Sequence, residues 1–361
     1  MNIKSYFLFF LFSFFFLSAC KKEKEESKIT PLQEDDFTYL RGADVSFIPE
    51  IRDHNFIAKN SANENEDMLY TLRKAGVNVF RIRIWVNPSN QYSSFNEVKA
   101  LAEEIKSTKA RVWLTVHYSD TWADPGNQQK PTRWLGKNVE QLKDSVYEYT
   151  KKIVLEIKPD YIQIGNEINN GLLWPEGSYN YVNQFKSFLS EGIRAVREHS
   201  INTKIMLHYA GHKDAVYFFE KFKNLDFDII GISYYPKWHG KNLDSLQSNL
   251  NLLSSTYNKQ VIIAETSYPF TFSWNDWTNN VIGSQEEILP NYLATELGQK
   301  YYLQKIREIA ENTNNGMGFC YWGAEWVSFK GNTAQNGSSY ENQAFWDFNG
   351  KALPVMEVYK K

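Results

Sequence analysis

The sequence predicts an α/β protein built as a single (β/α)8 TIM barrel, and three observations carry that prediction. Eight short apolar runs alternate with amphipathic helical segments, no linker or internal repeat divides the chain beyond its N-terminal stretch, and polar or aromatic residues gather where the strands should end. Alternation of short buried strands with helices favours a parallel sheet, and eight such units over 361 residues favour closing it. A nucleotide-binding open sheet would want a glycine-rich turn after an early strand, and the sequence has none.

Taken in order, the chain begins with Lys4 as a positive residue, an apolar run over residues 7–17, and then Ser18-Ala19-Cys20. The run is short for a bilayer span and fits a signal peptide over residues 1–19. Leu17-Ser18-Ala19-Cys20 resembles the bacterial lipobox, in which the cysteine is acylated and becomes the mature N-terminus; the alternative is a cysteine that merely follows a signal sequence. Residues 20–37 are then expected to be a charged tether from lipidated Cys20, because Lys21-Lys22-Glu23-Lys24-Glu25-Glu26 has no apolar period. This implies a bacterial membrane lipoprotein, on the outer membrane and facing the cell surface, with a periplasmic orientation as the alternative.

The catalytic domain is expected over residues 38–361, with strands at 39–45, 77–84, 112–118, 161–165, 204–208, 229–233, 261–264 and 318–322. Met68, Leu69, Leu72 and Ala75 have helical spacing before the second strand, and Leu142, Val146, Tyr149, Ile153 and Ile157 before the fourth. Gly76 and Pro159 stand where those helices should stop.

A net charge of −2 with no long basic stripe gives no electrostatic footprint for nucleic acid, so a neutral substrate suits the chain better. Aromatic residues make up 16% of the sequence, with 11 Trp, which points to sugar stacking as well as to core packing. Beyond Cys20 only Cys320 remains, between Phe319 and Tyr321, so an internal disulfide is excluded and a buried core thiol is expected.

Asp44, Trp85, His117, Asn166, Glu167, His208, Tyr234, Glu265 and Trp322 all fall at or just beyond strand ends, the rim that carries barrel active sites. Glu167 after Ile162-Gln163-Ile164-Gly165-Asn166 and Glu265 after Val261-Ile262-Ile263-Ala264 would project into one mouth. Cleavage of a glycosidic bond needs such a pair, one carboxyl protonating the leaving oxygen while the other attacks the anomeric carbon or activates water. Either glutamate alone could instead partner a buried arginine. Arg81 and Arg83 share one face by alternation, so at least one could hold a carboxylate ionised; Arg81 is favoured for that work, and Arg83 stays open between it and structural ion pairing. Tyr234 ends the sixth strand, from which its phenol could donate to the nucleophile, or else to backbone. The stretch from His117 to Pro125, with Asp120, Trp122 and Asp124, offers donors, acceptors and a flat ring suited to a sugar; metal ligation is the weaker rival, since no partner recurs at zinc spacing. Trp174, Trp238, Trp322 and Trp326 follow strands four, six and eight, as subsite platforms or as core.

On these residues the chain resembles the endo-β-1,4-galactanases of glycoside hydrolase family 53, within the clan of retaining barrel enzymes with two strand-end glutamates. The resemblance covers nearly everything after the tether. Arg41-Gly42-Ala43-Asp44-Val45-Ser46, Arg81-Ile82-Arg83-Ile84-Trp85-Val86-Asn87-Pro88, Gly165-Asn166-Glu167-Ile168, Ser233-Tyr234-Tyr235-Pro236, Glu265-Thr266 and Tyr321-Trp322 carry it. His117-Tyr118-Ser119-Asp120-Thr121-Trp122-Ala123-Asp124-Pro125 and Gly171-Leu172-Leu173-Trp174-Pro175 are its most selective segments. It implies that Glu167 is the acid/base and Glu265 the nucleophile, that Asn166 bonds the sugar 2-hydroxyl, that Arg81 and Tyr234 support Glu265, and that Trp322 floors the cleavage subsite.

The resemblance further implies internal cutting of β-1,4-galactan, as in type I arabinogalactan, by double displacement with no cofactor for catalysis. It departs at Tyr321-Trp322-Gly323-Ala324-Glu325-Trp326, where relatives continue Tyr-Trp-Glu-Pro-Ala-Trp. Some relatives hold a structural calcium ion in the seventh or eighth loop, for which the stretch from Asn275 to Asn280 offers oxygens, although a solvated loop is the plainer reading. The expected partners are galactan and, through the anchor, a membrane, with no nucleic acid and a monomeric chain. Two rivals stand: a clan relative acting on mannan, xylan or glucan, and a lipoprotein that captures glycans without cutting them.

Overall fold

Apolar runs bounded by polar turns form strands here because each is short and flanked by a helix that covers one face. The computed structural model describes residues 1–2 and 37–361. Its strands are β1 (Leu40–Asp44), β2 (Val79–Ile84), β3 (Arg111–Val116), β4 (Tyr161–Ile164), β5 (Lys204–Ala210), β6 (Ile229–Ser233), β7 (Gln260–Glu265) and β8 (Gly316–Tyr321). All neighbours pair in parallel and in sequence order, and β1 also pairs with β8, Leu40 opposite Gly318, which closes the barrel. Each expected strand is present, with ends shifted by one or two residues in most. Cys20 and nearly all of the expected signal peptide and tether lie outside the described residues.

Helices α1 (Ile48–Asp53) and α2 (Met68–Ala75) follow β1, α3 (Phe95–Ser107) follows β2, and α4 (Val139–Glu156) follows β3. Next come α5 (Val182–His199) after β4, α6 (Ala215–Glu220) after β5, α7 (Pro236–His239) and α8 (Leu243–Tyr257) after β6, and α9 (Glu296–Glu311) after β7. The Asp67 carboxylate caps α2 by accepting from the Leu69 N–H, and Gly76 ends it at φ 117°. Asn138 and Gln141 close a reciprocal capping box on α4, which stops three residues before Pro159.

Period-two alternation sorts each strand into an outer and an inner set. Ile82, Leu114, Ile162, Ile205, Ile230 and Ile263 face the helices within the main core. Leu40, Val79, Trp113, Tyr161, Met206, Ile229, Ile262 and Cys320 fill the barrel interior as a separate apolar cluster. Cys320 is a fully buried free thiol, as expected. Two residues on from Val79, Trp113, Tyr161 and Met206 stand Arg81, Thr115, Gln163 and His208, all inward and all buried. A polar layer therefore sits on the apolar plug at the C-terminal ends of the strands.

Strand β7 breaks its own alternation. Its register against β6 runs Ile232 to Ile263 and then jumps to Ser233 opposite Glu265, passing over Ala264. Ala264 and Glu265 consequently both serve the interior side, as expected of a bulge that re-aims a side chain. At the β1/β8 seam Gly318 has φ +138°, and a Cβ there would lie 2.0 Å from the Leu40 carbonyl oxygen. The buried Tyr359 hydroxyl donates to the Gly42 carbonyl at 3.0 Å, tying the end of the chain to its first strand.

Candidate active site

Arg81, 2% exposed, organises the polar layer. Its Nη1 donates to Asp44 Oδ2 at 2.8 Å, and its Nη2 to Glu265 Oε1 at 2.6 Å and Asn166 Oδ1 at 2.9 Å. The other oxygen of Glu265 accepts from the Tyr235 hydroxyl at 2.9 Å. Burial raises the Glu265 pKa, while Arg81 and the Tyr235 hydrogen bond pull it back toward ionisation.

Glu167 follows Gly165 at φ +82° and itself adopts φ 44°, a turn that lifts its carboxylate off the end of β4. Its Oε1 accepts from Ser233 Oγ at 2.6 Å. Burial first, and then the negative charge of Glu265, push its pKa up to about 8. Carboxylate oxygens of Glu167 and Glu265 lie within 4.8 Å of one another and of a ring nitrogen of His208. That spacing falls on the side of the roughly 5–5.5 Å of a retaining pair and below the roughly 6.5–9.5 Å of an inverting one. Among the described residues these three form the one grouping with metal-ligand geometry. Both oxygens of Glu265, Oε1 of Glu167 and both ring nitrogens of His208 are already hydrogen-bonded, to Arg81, Tyr235, Ser233 and Gln163.

Around the pair opens a cleft of about 460 Å³ that brings together Asp44, Arg81, Arg83, His117, Trp122, Asp124, Asn166, Trp238 and Trp322. His117 takes the Ala123 N–H on Nδ1 at 3.0 Å, so its proton sits on Nε2; burial and the two arginines hold its pKa well below 6.5. Asn166 gives one Nδ2 hydrogen to the Ala123 carbonyl and keeps a second. The Arg83 guanidinium packs against aromatic faces, 4.1 Å from the Phe47 ring centre and 4.3 Å from that of Trp122, which resolves its role in favour of lining and packing. Trp322 meets Trp122 and Tyr340 edge to face.

Four residues offered for the cleft lie elsewhere. The Tyr234 hydroxyl donates to the Gly240 carbonyl, not to Glu265, because inward alternation along β6 passes through Ser233 to Tyr235. Asp120 Oδ2 accepts from the Thr132 N–H at 2.8 Å and from its hydroxyl, bracing its own loop. Trp174 donates its indole N–H to the Asn170 carbonyl at 2.9 Å and does not line the cleft. Trp326 is sandwiched between Phe47 and Tyr340 as a buttress.

Sequence reasoning missed Tyr235, His239 and Tyr340, which also line the cleft. The signal for Tyr235 was the strand period itself; Tyr340 belongs to a long loop with no local pattern. Glu325, where the motif departs, is buried and accepts the Phe47 N–H at 2.9 Å, and burial pushes its pKa up to about 8. It ties the loop after β8 to the loop after β1. In the Asn275–Asn280 stretch, Asp276 is 2% exposed, so the loop is not simply solvated. Its two carboxylate oxygens accept the Thr278 and Ser338 N–H groups, and Glu341 Oε1 accepts those of Asn275 and Asp276. These carboxylates stitch two loops together.

The profile described as Glycosyl hydrolase family 53 matches residues 40–359. The sequence is 31% identical over 348 residues to the arabinogalactan endo-β-1,4-galactanase of Cellvibrio japonicus, spanning 90% of this chain and 92% of that one. It is 30% identical over 404 residues to the endo-β-1,4-galactanase of Bacillus subtilis, spanning 96% and 92%. The solved GH53 catalytic domain of Ignisphaera aggregans superposes with a TM-score of 0.85 at 33% identity, covering 91% of this chain and 98% of that one.

Proposed function

The chain belongs to glycosyl hydrolase family 53, and from that premise we infer that it is an endo-β-1,4-galactanase that cuts galactan with retention of configuration. The observation that carries the mechanism is the close carboxylate pair, with oxygens within 4.8 Å, under asymmetric control. Both oxygens of Glu265 accept hydrogen bonds from Arg81 and Tyr235, which favours its ionised form. Glu167 has no such cation bonded to it and holds its proton up to a pH of about 8. The pair thus shares one proton at neutral pH, and it resides on Glu167.

Glu265 attacks the anomeric carbon as Glu167 hands its proton to the departing glycosidic oxygen, and a galactosyl-enzyme forms. Glu167, now ionised, takes a proton from the incoming water, which displaces Glu265 by attacking from the opposite face, the one the leaving sugar vacated. The free Nδ2 hydrogen of Asn166 and the Nε2–H of His117 supply donors to sugar hydroxyls, and Trp322, Trp122 and Trp238 supply flat faces. Two carboxylates provide acid, base and nucleophile, so this chemistry calls for no cofactor.

The test is to incubate the purified protein with linear β-1,4-galactan and separately with mannan, xylan and a mixed-linkage glucan, and to resolve products over time. The axial 4-hydroxyl of galactose bends its polymer, so the four substrates present different shapes to the cleft. A ladder of galacto-oligosaccharides from galactan alone, abolished in Glu265→Gln, is the expected result. Cleavage of another polymer would move the substrate, and near-normal turnover by Glu265→Gln would refute the nucleophile.

We further propose that Cys20 is acylated and that the protein acts as a monomer anchored on the outer membrane, facing the cell surface. Lys4, the apolar run and Leu17-Ser18-Ala19-Cys20 support the anchor, and the charged stretch after it supports a solvated tether.

A further inference from the structure

The hydrogen bonds behind Glu167 have a direction that can be traced from an indole. Trp113 Nε1, which can only donate, meets Gln163 Oε1 at 3.2 Å and so fixes which end of that amide is oxygen. Gln163 Nε2 then faces His208 Nδ1 at 2.8 Å as a donor, and the Glu167 backbone N–H donates to the same nitrogen at 3.3 Å. Asn166 Oδ1 also stands 3.2 Å from Nδ1, but it already accepts from Arg81 and Gln163, and the Glu167 N–H aimed at Nδ1 leaves that nitrogen no place for a hydrogen, so the proton of this neutral imidazole is on Nε2. Nε2 lies 2.8 Å from Ser233 Oγ and donates to it. The single hydroxyl hydrogen of Ser233 is left for Glu167 Oε1, at 2.6 Å.

We propose that Ser233, held by His208, is a positioning residue that confines the catalytic proton of Glu167 to Oε2. An oxygen already accepting the Ser233 hydrogen acts as the carbonyl end of the acid, and the O–H must form on the other. Oε2 is the atom that gives its proton to the glycosidic oxygen, the electrons of the breaking C–O bond passing to that oxygen, and the atom that takes a proton from water in the second step. His208 is fully buried, with its pKa held well below 6.5 by burial and by Arg81, so the chain of donors keeps one direction through both steps. The inference rests on Glu167 being the acid/base.

Other groups act on Glu167: Glu265 and Asp124 raise its pKa, Arg81 lowers it, and the Ser233 hydrogen bond lowers it. Ser233→Ala removes only the last of these. Losing a donor to the carboxylate favours the protonated form, so the alkaline limb of kcat/KM moves to higher pH. With the proton free to sit on either oxygen, galactan, whose leaving group needs protonation, should slow about 10- to 100-fold. An activated aryl galactoside should change less than about threefold, because its leaving group departs without the proton. Ser233→Thr, which keeps the hydroxyl, should restore most of both properties, and Ser233→Cys, similar in size but a poor donor, should behave like Ser233→Ala.

An unmoved alkaline limb with equal losses on both substrates, in the alanine and cysteine variants alike, would overturn the proposal. Glu167→Ala in the same assay separates the two levels of argument. If it fails to distinguish the substrates, the acid/base assignment falls; if it does distinguish them and the serine variants do not, only the positioning role falls.

Discussion

Tyr234 and Tyr235 are neighbours in sequence with opposite positions in the barrel wall. Tyr235 reaches Glu265, whereas Tyr234 points away and bonds the Gly240 carbonyl. Tyr235→Phe should lower kcat about 10- to 100-fold with little change in KM, since a hydrogen bond to a charged group is worth roughly 1.5–3 kcal/mol. Tyr234→Phe should keep kcat and lose about 1 kcal/mol of stability. Steady-state kinetics with a denaturation curve for each variant checks both, and equal kcat losses would contradict the assignment. That both glutamates and Arg81 meet in one cleft was legible in the sequence, because a charge at the inner end of an apolar strand is costly to bury unless it is paired or put to use. Choosing between adjacent tyrosines was harder, since the end of the strand does not mark itself; counting inward positions from Ile229 through Gly231 and Ser233 would have reached Tyr235.

At the scale of elements, the eight strands were readable because each is a local property of apolar side chains. The bulge in β7 was not, since Val261-Ile262-Ile263-Ala264 is apolar throughout and gives no sign that Ala264 is passed over. Loop stitching was equally hidden, being made by side chains that accept backbone N–H groups many residues away. Asp120 and Trp174 look like sugar contacts in sequence because bracing a loop uses the same donors and acceptors as binding a hydroxyl. Asp276 joins the loop after β7 to the one after β8, which also carries Trp326 and Tyr340. Asp276→Ala strands the buried Ser338 N–H, and should cost about 1–3 kcal/mol of stability. Chemical denaturation of the variant measures this; an unchanged midpoint would mean that the stitch carries no weight.

For the molecule as a whole, composition excluded a polyanion as partner and pointed to a neutral, ring-stacking substrate, and membership of the galactanase family agrees. The proposed anchor belongs to this scale because it would fix where polymer is met, not how it is cut. Cys20→Ser should move galactanase activity from the membrane fraction to the soluble fraction while leaving kcat on galactan unchanged. Activity that stays with membranes in that variant would refute lipidation at Cys20.

The seam between β1 and β8 also constrains when the molecule can exist. A polypeptide emerges N-terminus first, so β1 is exposed long before β8 has been made, and Tyr359, which bonds Gly42, follows later still. Until then the growing sheet has two open edges and no barrel. Closure therefore waits for β8, and every segment between β1 and β8 must be made before either edge is covered.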